Sequence, residues 1–261
     1  MFAPHRHTLM NWTIPESRMM ERNVFDRVAR DYEKIHNQSL PPGVHSVDFI
    51  RQRAANVIRW ISDGYTGKEF FYLDFGCGNG RMLKSLLESN AVMPLVEQGR
   101  LRLFGFDTSV ESVNEARDLI GDDRVCLVSD LNHLPGDIRF DFVICCHVFH
   151  HIPPAERAQT AAGLATRMNP LARLVIWEHN PFNPLGRMLV KMCPFDRDAR
   201  LLTLTKTKSL FGKKSFRYRE HGYLNVFPPR WLRLGAVSAI EARLSTLPIG
   251  AQYWVSFERD E

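Results

Sequence analysis

Three glycines at alternate positions follow an apolar run in residues 71–83, which read FYLDFGCGNGRML. The apolar residues predict a strand, and a helical pattern begins at Arg81. Between them, Gly76, Gly78 and Gly80 predict a turn, because glycine tolerates a positive φ and lets a ligand approach the backbone closely. This arrangement favours a site for a nucleotide-like ligand. A dinucleotide fingerprint would place another glycine where Arg81 stands, which argues against a pyrophosphate site.

Acidic residues stand at the ends of the predicted strands around this turn. Asp74 opens the turn, and Asp107 ends the apolar segment 101–107. A carboxylate at the second position can accept hydrogen bonds from both hydroxyls of a ribose. Two structural alternatives exist: Asp74 could cap the turn through its own backbone, and Thr108 or Ser109 could cap the next helix. Capping at this position is compatible with a ribose contact.

Cysteine and histidine residues follow the apolar segment 140–146, which reads FDFVICC. Cys146 and His147 would lie at the carboxyl end of that strand, and His151 stands four residues further on. A zinc cluster of these residues with Cys145 is the competing interpretation. Adjacent residues on a strand point to opposite faces, so Cys145 and Cys146 cannot easily share a metal ion. We therefore predict no metal site.

Polar residues also stand at the end of the next predicted strand, residues 171–178. Glu178, His179 and Asn180 stand where a substrate would lie at the edge of the sheet. A histidine beside a carboxylate can act as a general base near neutral pH. The alternative is that Glu178 and Asn180 cap the loop while His179 packs internally.

Residues 73–80 (LDFGCGNG) resemble the first motif of the class I S-adenosylmethionine-dependent methyltransferases, and later motifs follow in the order typical of that family. The resemblance implies that Asp74 holds the ammonium group of the cofactor, that Asp130 faces the adenine amino group and that Leu131 offers a backbone amide. S-adenosylmethionine is therefore the expected cofactor. The predicted cofactor-binding residues are Tyr32, Asp74, Gly76, Cys77, Gly78, Asp107, Thr108, Asp130, Leu131 and Cys146.

The methyl acceptor is expected to be a hydroxyl or an amine of a small or carrier-linked metabolite. A hydroxyl acceptor needs a base, and the candidates are His179 first, then His147, His36 and His151. The candidates for contacts with the substrate are Glu178, Asn180 and His151. Tyr32 and His36 are four residues apart on one face of a predicted helix, so either could reach the cleft, although Tyr32 could instead pack in the core. Segments near residues 177–184, 193–196 and 247–253 are similar to a bacterial branch of the family that is associated with surface polysaccharide or lipid biosynthesis.

Strands and helices alternate along the chain. The predicted strands lie near residues 70–74, 101–107, 125–129, 140–146 and 171–178, and the helices at 19–36, 49–61, 110–119 and 155–168. The pattern predicts an α/β fold, a Rossmann-like, doubly wound and mostly parallel seven-stranded sheet. Its last strand, 252–258, would pair with 218–227. We predict an N-terminal arm and helical cap (1–45) and a methyltransferase core (46–261), with a substrate-side lid (181–235) inserted after the fifth strand.

Composition excludes several other classes of protein. The chain has 261 residues and a formal net charge of +5 without a long basic tract, and its basic segment 197–214 lacks interleaved aromatic residues, so nucleic acid is not the expected partner. Five cysteines without CxxC spacing indicate reduced thiols and a cytoplasmic location. No apolar run reaches the roughly 18 residues of a membrane span. Two rival functions are a nicotinamide-dependent oxidoreductase and a non-catalytic protein that binds S-adenosylmethionine; the oligomeric state stays open.

Overall fold

The computed structural model describes residues 25–27, 29–134, 138–212 and 215–261. The predicted arm at residues 1–24 lies outside these residues. The helix predicted over 19–36 lies partly outside them as well. Its described part contains helix α1 (Tyr32–Gln38), which begins after a turn at residues 29–31.

Seven strands form one sheet within the described residues, as the sequence predicts. The strands follow the order β3-β2-β1-β4-β5-β7-β6. Strands β1 to β5 are parallel to one another, and β7 runs antiparallel to both β5 and β6. Their bounds are β1 (Phe70–Phe75), β2 (Leu101–Phe106), β3 (Val125–Val128), β4 (Phe140–Cys146), β5 (Met168–His179), β6 (Phe216–Leu224) and β7 (Gln252–Arg259).

Helices cover both faces of this sheet, which explains why the parallel strands are almost continuously apolar. In β1, Tyr72 belongs to a core that includes Trp60 and Leu83, whereas Leu73 belongs to the opposite core with Leu164. Beyond α1, the α-helices are α2 (Ser46–Gly64), α3 (Arg81–Leu87), α4 (Met93–Glu97), α5 (Val110–Ile120), α6 (Arg157–Thr166), α7 (Pro184–Met192), α8 (Leu204–Phe211) and α9 (Gly235–Leu244).

The start of β5 differs from the prediction. The helix predicted over 155–168 ends at Thr166, as α6, and the strand predicted from residue 171 already includes Met168. The pairing with β4 shifts register between Phe140 and Phe142, and Leu171 has a φ of 64°. This irregularity accommodates Pro170, which has no N–H to donate to the ladder.

The described part of the N-terminal segment is tied to the edge of the sheet where the parallel strands end. The Ser109 hydroxyl donates a hydrogen bond to the Asp26 carboxylate at 2.6 Å, and Glu33 forms an ion pair with Arg81. The backbone N–H of Ser46 donates to the Asn37 side chain at 2.8 Å. These contacts hold α1 over the glycine-rich turn. No helix in the described ranges combines the length and the apolarity that a membrane span requires.

Candidate active site

A cavity of ≈ 280 Å³ opens at the carboxyl ends of β1, β2, β4 and β5, where ligands bind in open parallel sheets. Residues from the N-terminal segment, from α2 and from the segment after β5 complete its wall. The polar and glycine residues that line it include His36, Arg53, Asp74, Gly76, Gly78, Asp107, Thr108, His147, His151, His179 and Asp196.

The glycine-rich turn after β1 is held by backbone hydrogen bonds and by one carboxylate. The backbone N–H groups of Gly76 and Cys77 both donate to the Phe106 carbonyl, at 2.7 and 2.9 Å. The N–H of Gly78 donates to the Asp107 carboxylate at 2.9 Å. Asp107 therefore links the turn after β1 to the end of β2, and it also accepts a hydrogen bond from the Ser109 N–H at 2.9 Å.

Gly76 cannot be replaced without displacing a neighbour, which gives a testable prediction. Its φ is 84°, and an added Cβ would lie 2.3 Å from a methyl group of Val148. Gly67 has a nearly identical φ of 85° but open space around it. Gly67→Ala should therefore lower the free energy of unfolding by about 1–2 kcal/mol through backbone strain alone. Gly76→Ala should cost about 1–3 kcal/mol more through overpacking.

Urea denaturation of the two variants measures this difference directly. If Gly76→Ala and Gly67→Ala lost the same stability, the Val148 side chain would have to move aside at no cost, which would contradict a rigid turn. Titration with S-adenosylhomocysteine should show weaker binding for Gly76→Ala and unchanged binding for Gly67→Ala.

Two buried carboxylates, Asp74 and Asp107, face the cavity. Burial raises the pKa of Asp74 to about 7; the Asp107 carboxylate contributes to this rise, whereas Arg53 opposes it. Burial also raises the pKa of Asp107, against hydrogen bonds from the N–H groups of Ser109 and Gly78. A cationic ligand group near Asp74 would favour its ionised form.

Histidines and carboxylates form a cluster beside Cys146. His147 has a φ of 57°, and the turn that follows brings the rings of His150 and His151 together. The Nε2 atoms of these two rings lie 3.0 Å apart. Asp196 Oδ1 lies 3.5 Å from His150 Nε2 and 3.2 Å from His151 Nε2.

Glu178 supports this cluster from the buried side. One of its carboxylate oxygens lies 2.5 Å from His150 Nδ1, and the other accepts the Phe149 N–H at 2.9 Å. Burial opposes the charge on His150, but the carboxylates of Glu178 and Asp196 outweigh it and raise the pKa of His150 to about 10. Burial and the charge on His150 lower the pKa of His151 and bring that of His179 to about 4. His179 is thus neutral at physiological pH.

The structure brings most of the predicted site residues to one cavity. Asp74, Gly76, Cys77, Gly78, Asp107, Thr108, Cys146, His36, His147, His151 and His179 all line it. Four others do not: Glu178, Asn180, Asp130 and Leu131. The side chain of Tyr32 lies outside the described part of the structure.

The contacts of these residues explain why they do not line the cavity. Glu178 is fully buried and occupied by His150 and the Phe149 N–H, so it orients a histidine and does not face the cavity. The Asn180 amide donates to the carbonyls of Pro248 and Gly250, at 2.9 and 2.8 Å, which fixes the loop before β7.

Asp130 and Leu131, the other two residues outside the cavity wall, belong to a short 3-10 turn after β3. Asp130 accepts the Asn132 N–H at 2.9 Å and caps this turn, while Leu131 is buried in the core. Their predicted contacts with adenine therefore stay a prediction.

Sequence reasoning missed Arg53 and Asp196 as members of the site. Arg53 lies on α2 among the apolar positions that face the core, and a charged residue on such a face is a usable signal. Burial and the Arg53 charge also lower the pKa of His36. Asp196 comes from a short 3-10 turn (Pro194–Asp196) far along the chain, and no local pattern reports that it meets the histidines.

The strand order and the position of the cavity are those of an α/β protein that binds a small ligand above the carboxyl ends of its strands. Residues 73–174 match the model of a family described as a methyltransferase domain. The chain therefore contains a segment similar to methyltransferase domains, and its fold is shared by solved S-adenosylmethionine-dependent methyltransferases. No curated protein sequence matches it at a significant level.

Solved structures share the fold at low sequence identity. The magnesium protoporphyrin IX methyltransferase (ChlM) from Synechocystis PCC 6803 with bound SAH is 18% identical, with a TM-score of 0.62, over 94% of this chain and 100% of that one. The N-methyltransferase NodS from Bradyrhizobium japonicum WM9, in complex with S-adenosylhomocysteine (SAH), is 11% identical, with a TM-score of 0.59, over 92% and 99%. The plantazolicin methyltransferase BpumL with a substrate analogue and SAH is 15% identical, with a TM-score of 0.58, over 94% and 99%.

Proposed function

We propose that this cavity binds S-adenosylmethionine through the glycine-rich turn, Asp74 and Asp107, and that it transfers the methyl group to a hydroxyl or amine of a small or carrier-linked metabolite. The observation that carries the proposal is that one cavity is lined both by these residues and by His151 and Asp196. The structures of ChlM, NodS and BpumL that contain SAH support the choice of cofactor.

The order of the strands separates a cofactor side from an acceptor side. Asp107 follows β2, Asp74 ends β1, and His179 ends β5, so the sheet order β2-β1-β4-β5 spaces them along one edge. The turn after β1 and the carboxylates would hold the nucleoside and amino-acid parts of the cofactor. The acceptor would lie toward β4 and β5, beside the histidine cluster.

The reaction places modest chemical demands on the protein. The sulfonium group is already activated, so the enzyme mainly aligns the acceptor with the methyl carbon and excludes water. A hydroxyl acceptor must also lose its proton. His179 is the first candidate for the base, but a pKa of about 4 makes it a weak proton acceptor. His151 is the alternative: burial and the charge on His150 lower its pKa as well, but Asp196, 3.2 Å from its Nε2, opposes that shift.

The segments before β1 and after β5 supply the walls that would exclude water. Phe25 packs edge-on against His151 with ring centroids 5.2 Å apart, and Glu33 lines the cavity next to it. Leu189 and Phe195 line the cavity from the segment after β5. These contacts support a cap formed by the described part of residues 1–45, which begins at Phe25, and a lid within 181–235, although β6 in the second range belongs to the sheet.

Calorimetric titration with SAH, with NADH as a parallel control, tests the proposed function. We expect micromolar binding of SAH with one site per chain and no binding of NADH. Binding of NADH alone would contradict the proposal and favour an oxidoreductase. With cofactor binding established, hydroxyl and amine acceptors can be compared by the release of SAH.

A further inference from the structure

We propose that His150, His151 and Asp196 form a binding site for one divalent transition-metal ion, of which Zn²⁺ is the best fit. The ligand atoms are the two Nε2 atoms and Asp196 Oδ1. This site is separate from the cofactor-binding residues, and the binding of metal does not depend on the proposed function. Its catalytic use, given below, does rest on that function.

The spacing of the three atoms is that of a metal coordination sphere. Their mutual distances are 3.0, 3.2 and 3.5 Å. Zinc binds imidazole nitrogen and carboxylate oxygen at about 2.0–2.2 Å, which places neighbouring ligand atoms roughly 3.0–3.5 Å apart. The three distances therefore fit one ion bound between these atoms.

Hydrogen bonds serve at most two of the three contacts at once. If His150 donates its Nε2 hydrogen to His151, the bare Nε2 of His151 faces the carboxylate of Asp196. If His151 carries the hydrogen, the bare Nε2 of His150 lies 3.5 Å from that carboxylate, and if both rings carry one, two N–H groups stand 3.0 Å apart. A cation satisfies the three electron-pair donors together, because each can direct a lone pair at it.

A buried carboxylate supports one of the proposed histidine ligands, as in many known metal sites. His150 Nδ1 pairs with Glu178, whose second oxygen is fixed by the Phe149 N–H. Such a carboxylate–histidine pair orients the ring and raises the basicity of the ligating nitrogen. Both ring nitrogens of the nearby His147 are buried and lack a hydrogen-bond partner in the described structure. A second group, His147, His150 and Glu178, also has its ligand atoms within 4.8 Å of one another.

The first group is the better site because it opens into the cavity. His151 and Asp196 line the cavity wall, whereas Glu178 is completely buried. Two histidines and one carboxylate leave coordination positions free, as in catalytic zinc sites. The donor set fits Zn²⁺ or Fe²⁺ and does not fit Mg²⁺, which prefers oxygen ligands.

An ion here would favour an oxygen acceptor. Lewis acidity lowers the pKa of a bound hydroxyl, as it does for bound water. In this metal-bound form His151 is a ligand and not the base, so the hydroxyl proton is released to solvent. The hydroxyl oxygen then forms the bond to the methyl carbon. The bond between the methyl carbon and sulfur breaks, and its electron pair stays on sulfur, which yields SAH.

Metal titration of chelator-treated full-length protein tests the site. We expect wild-type protein to bind one equivalent of Zn²⁺ with micromolar or tighter affinity, and Co²⁺ to give visible absorption bands typical of low coordination. His151→Ala and Asp196→Asn should each weaken Zn²⁺ binding at least 100-fold. Glu178→Gln should weaken it about 10- to 100-fold. His133→Ala removes an exposed histidine of a remote turn and should leave it unchanged.

Three results would overturn the site: no bound equivalent of Zn²⁺, equal binding by His151→Ala and wild type, or the same loss in His133→Ala. Circular dichroism and titration with SAH accompany every variant. His151 is partly exposed, so His151→Ala should fold, and its affinity for SAH should stay within about 2-fold of wild type. Wild type that binds Zn²⁺ but not SAH would contradict the proposed function and leave the metal site standing.

Discussion

Asp107→Ala is expected to weaken binding of S-adenosylhomocysteine by about 1.5–3 kcal/mol, or roughly 10- to 150-fold. The Asp107 carboxylate already accepts two backbone hydrogen bonds, from Gly78 and from Ser109. Each carboxylate oxygen has a second lone pair, so both can also accept from the ribose hydroxyls. The substitution therefore removes the proposed contacts with the ribose and also the hydrogen bond that fixes Gly78 in the glycine-rich turn.

Calorimetry at fixed pH measures this loss, and two further variants separate its causes. Asp107→Asn keeps one carbonyl acceptor and should fall between wild type and Asp107→Ala. Asp118→Ala removes an exposed carboxylate from α5 and serves as the matched control. Wild-type affinity in a folded Asp107→Ala protein would show that the ribose lies elsewhere.

Binding of S-adenosylhomocysteine should strengthen as the pH rises through 7, because the proposed contact with the ammonium group requires an ionised Asp74. Burial, assisted by the Asp107 carboxylate and opposed by Arg53, sets the pKa of Asp74 at about 7 in the free protein. The ionised fraction falls from about nine-tenths at pH 8 to about 3% at pH 5.5. The apparent affinity should therefore fall roughly 30-fold over that interval.

The stability of the free protein should follow the opposite trend. The folded state binds the Asp74 proton more tightly than the unfolded chain, whose ordinary pKa is 3.8. This group therefore lowers the free energy of unfolding as the pH rises from about 4 to about 7. Both trends can be measured on the same samples, by calorimetry and by urea denaturation.

Asp74→Asn identifies the group responsible. The variant should bind weakly at every pH, and its affinity should lose the 30-fold dependence. Tyr72, Cys77 and Cys146 also surround Asp74, but burial raises the pKa of each well above the interval tested. A pH dependence that persists in Asp74→Asn would move the effect to another residue.

The sequence was a good guide to the sheet because its strands are short apolar runs separated by turn residues. Strand β4 lies at Phe140–Cys146, as the sequence predicts, because a strand that is buried on both faces is a nearly continuous apolar run. Two strands depart further from the prediction. Strand β6 lies at Phe216–Leu224 and not at 218–227. The start of β5 depends on a bulge beside Pro170, and propensity does not encode a register shift.

The candidate site could be predicted only where its residues follow strands. Asp74, Asp107, His147 and His179 all end or follow parallel strands, and topology alone brings such residues to one edge. The expectation of no metal site rested on alternating strand faces, an argument that does not apply to the turn that holds His150, and it stays a prediction. Asp196 meets His151 through tertiary packing alone, which no local pattern reports.

The position of β7 has a consequence for how the molecule folds. β7 follows β6 in the chain, yet it lies between β5 and β6 in the sheet. Until β7 has been synthesised, both of its neighbours expose unpaired edges, and the pairing of His179 with Gln252 cannot form. The acceptor side of the cavity should therefore be completed late, after β1 to β4 have already formed the cofactor side.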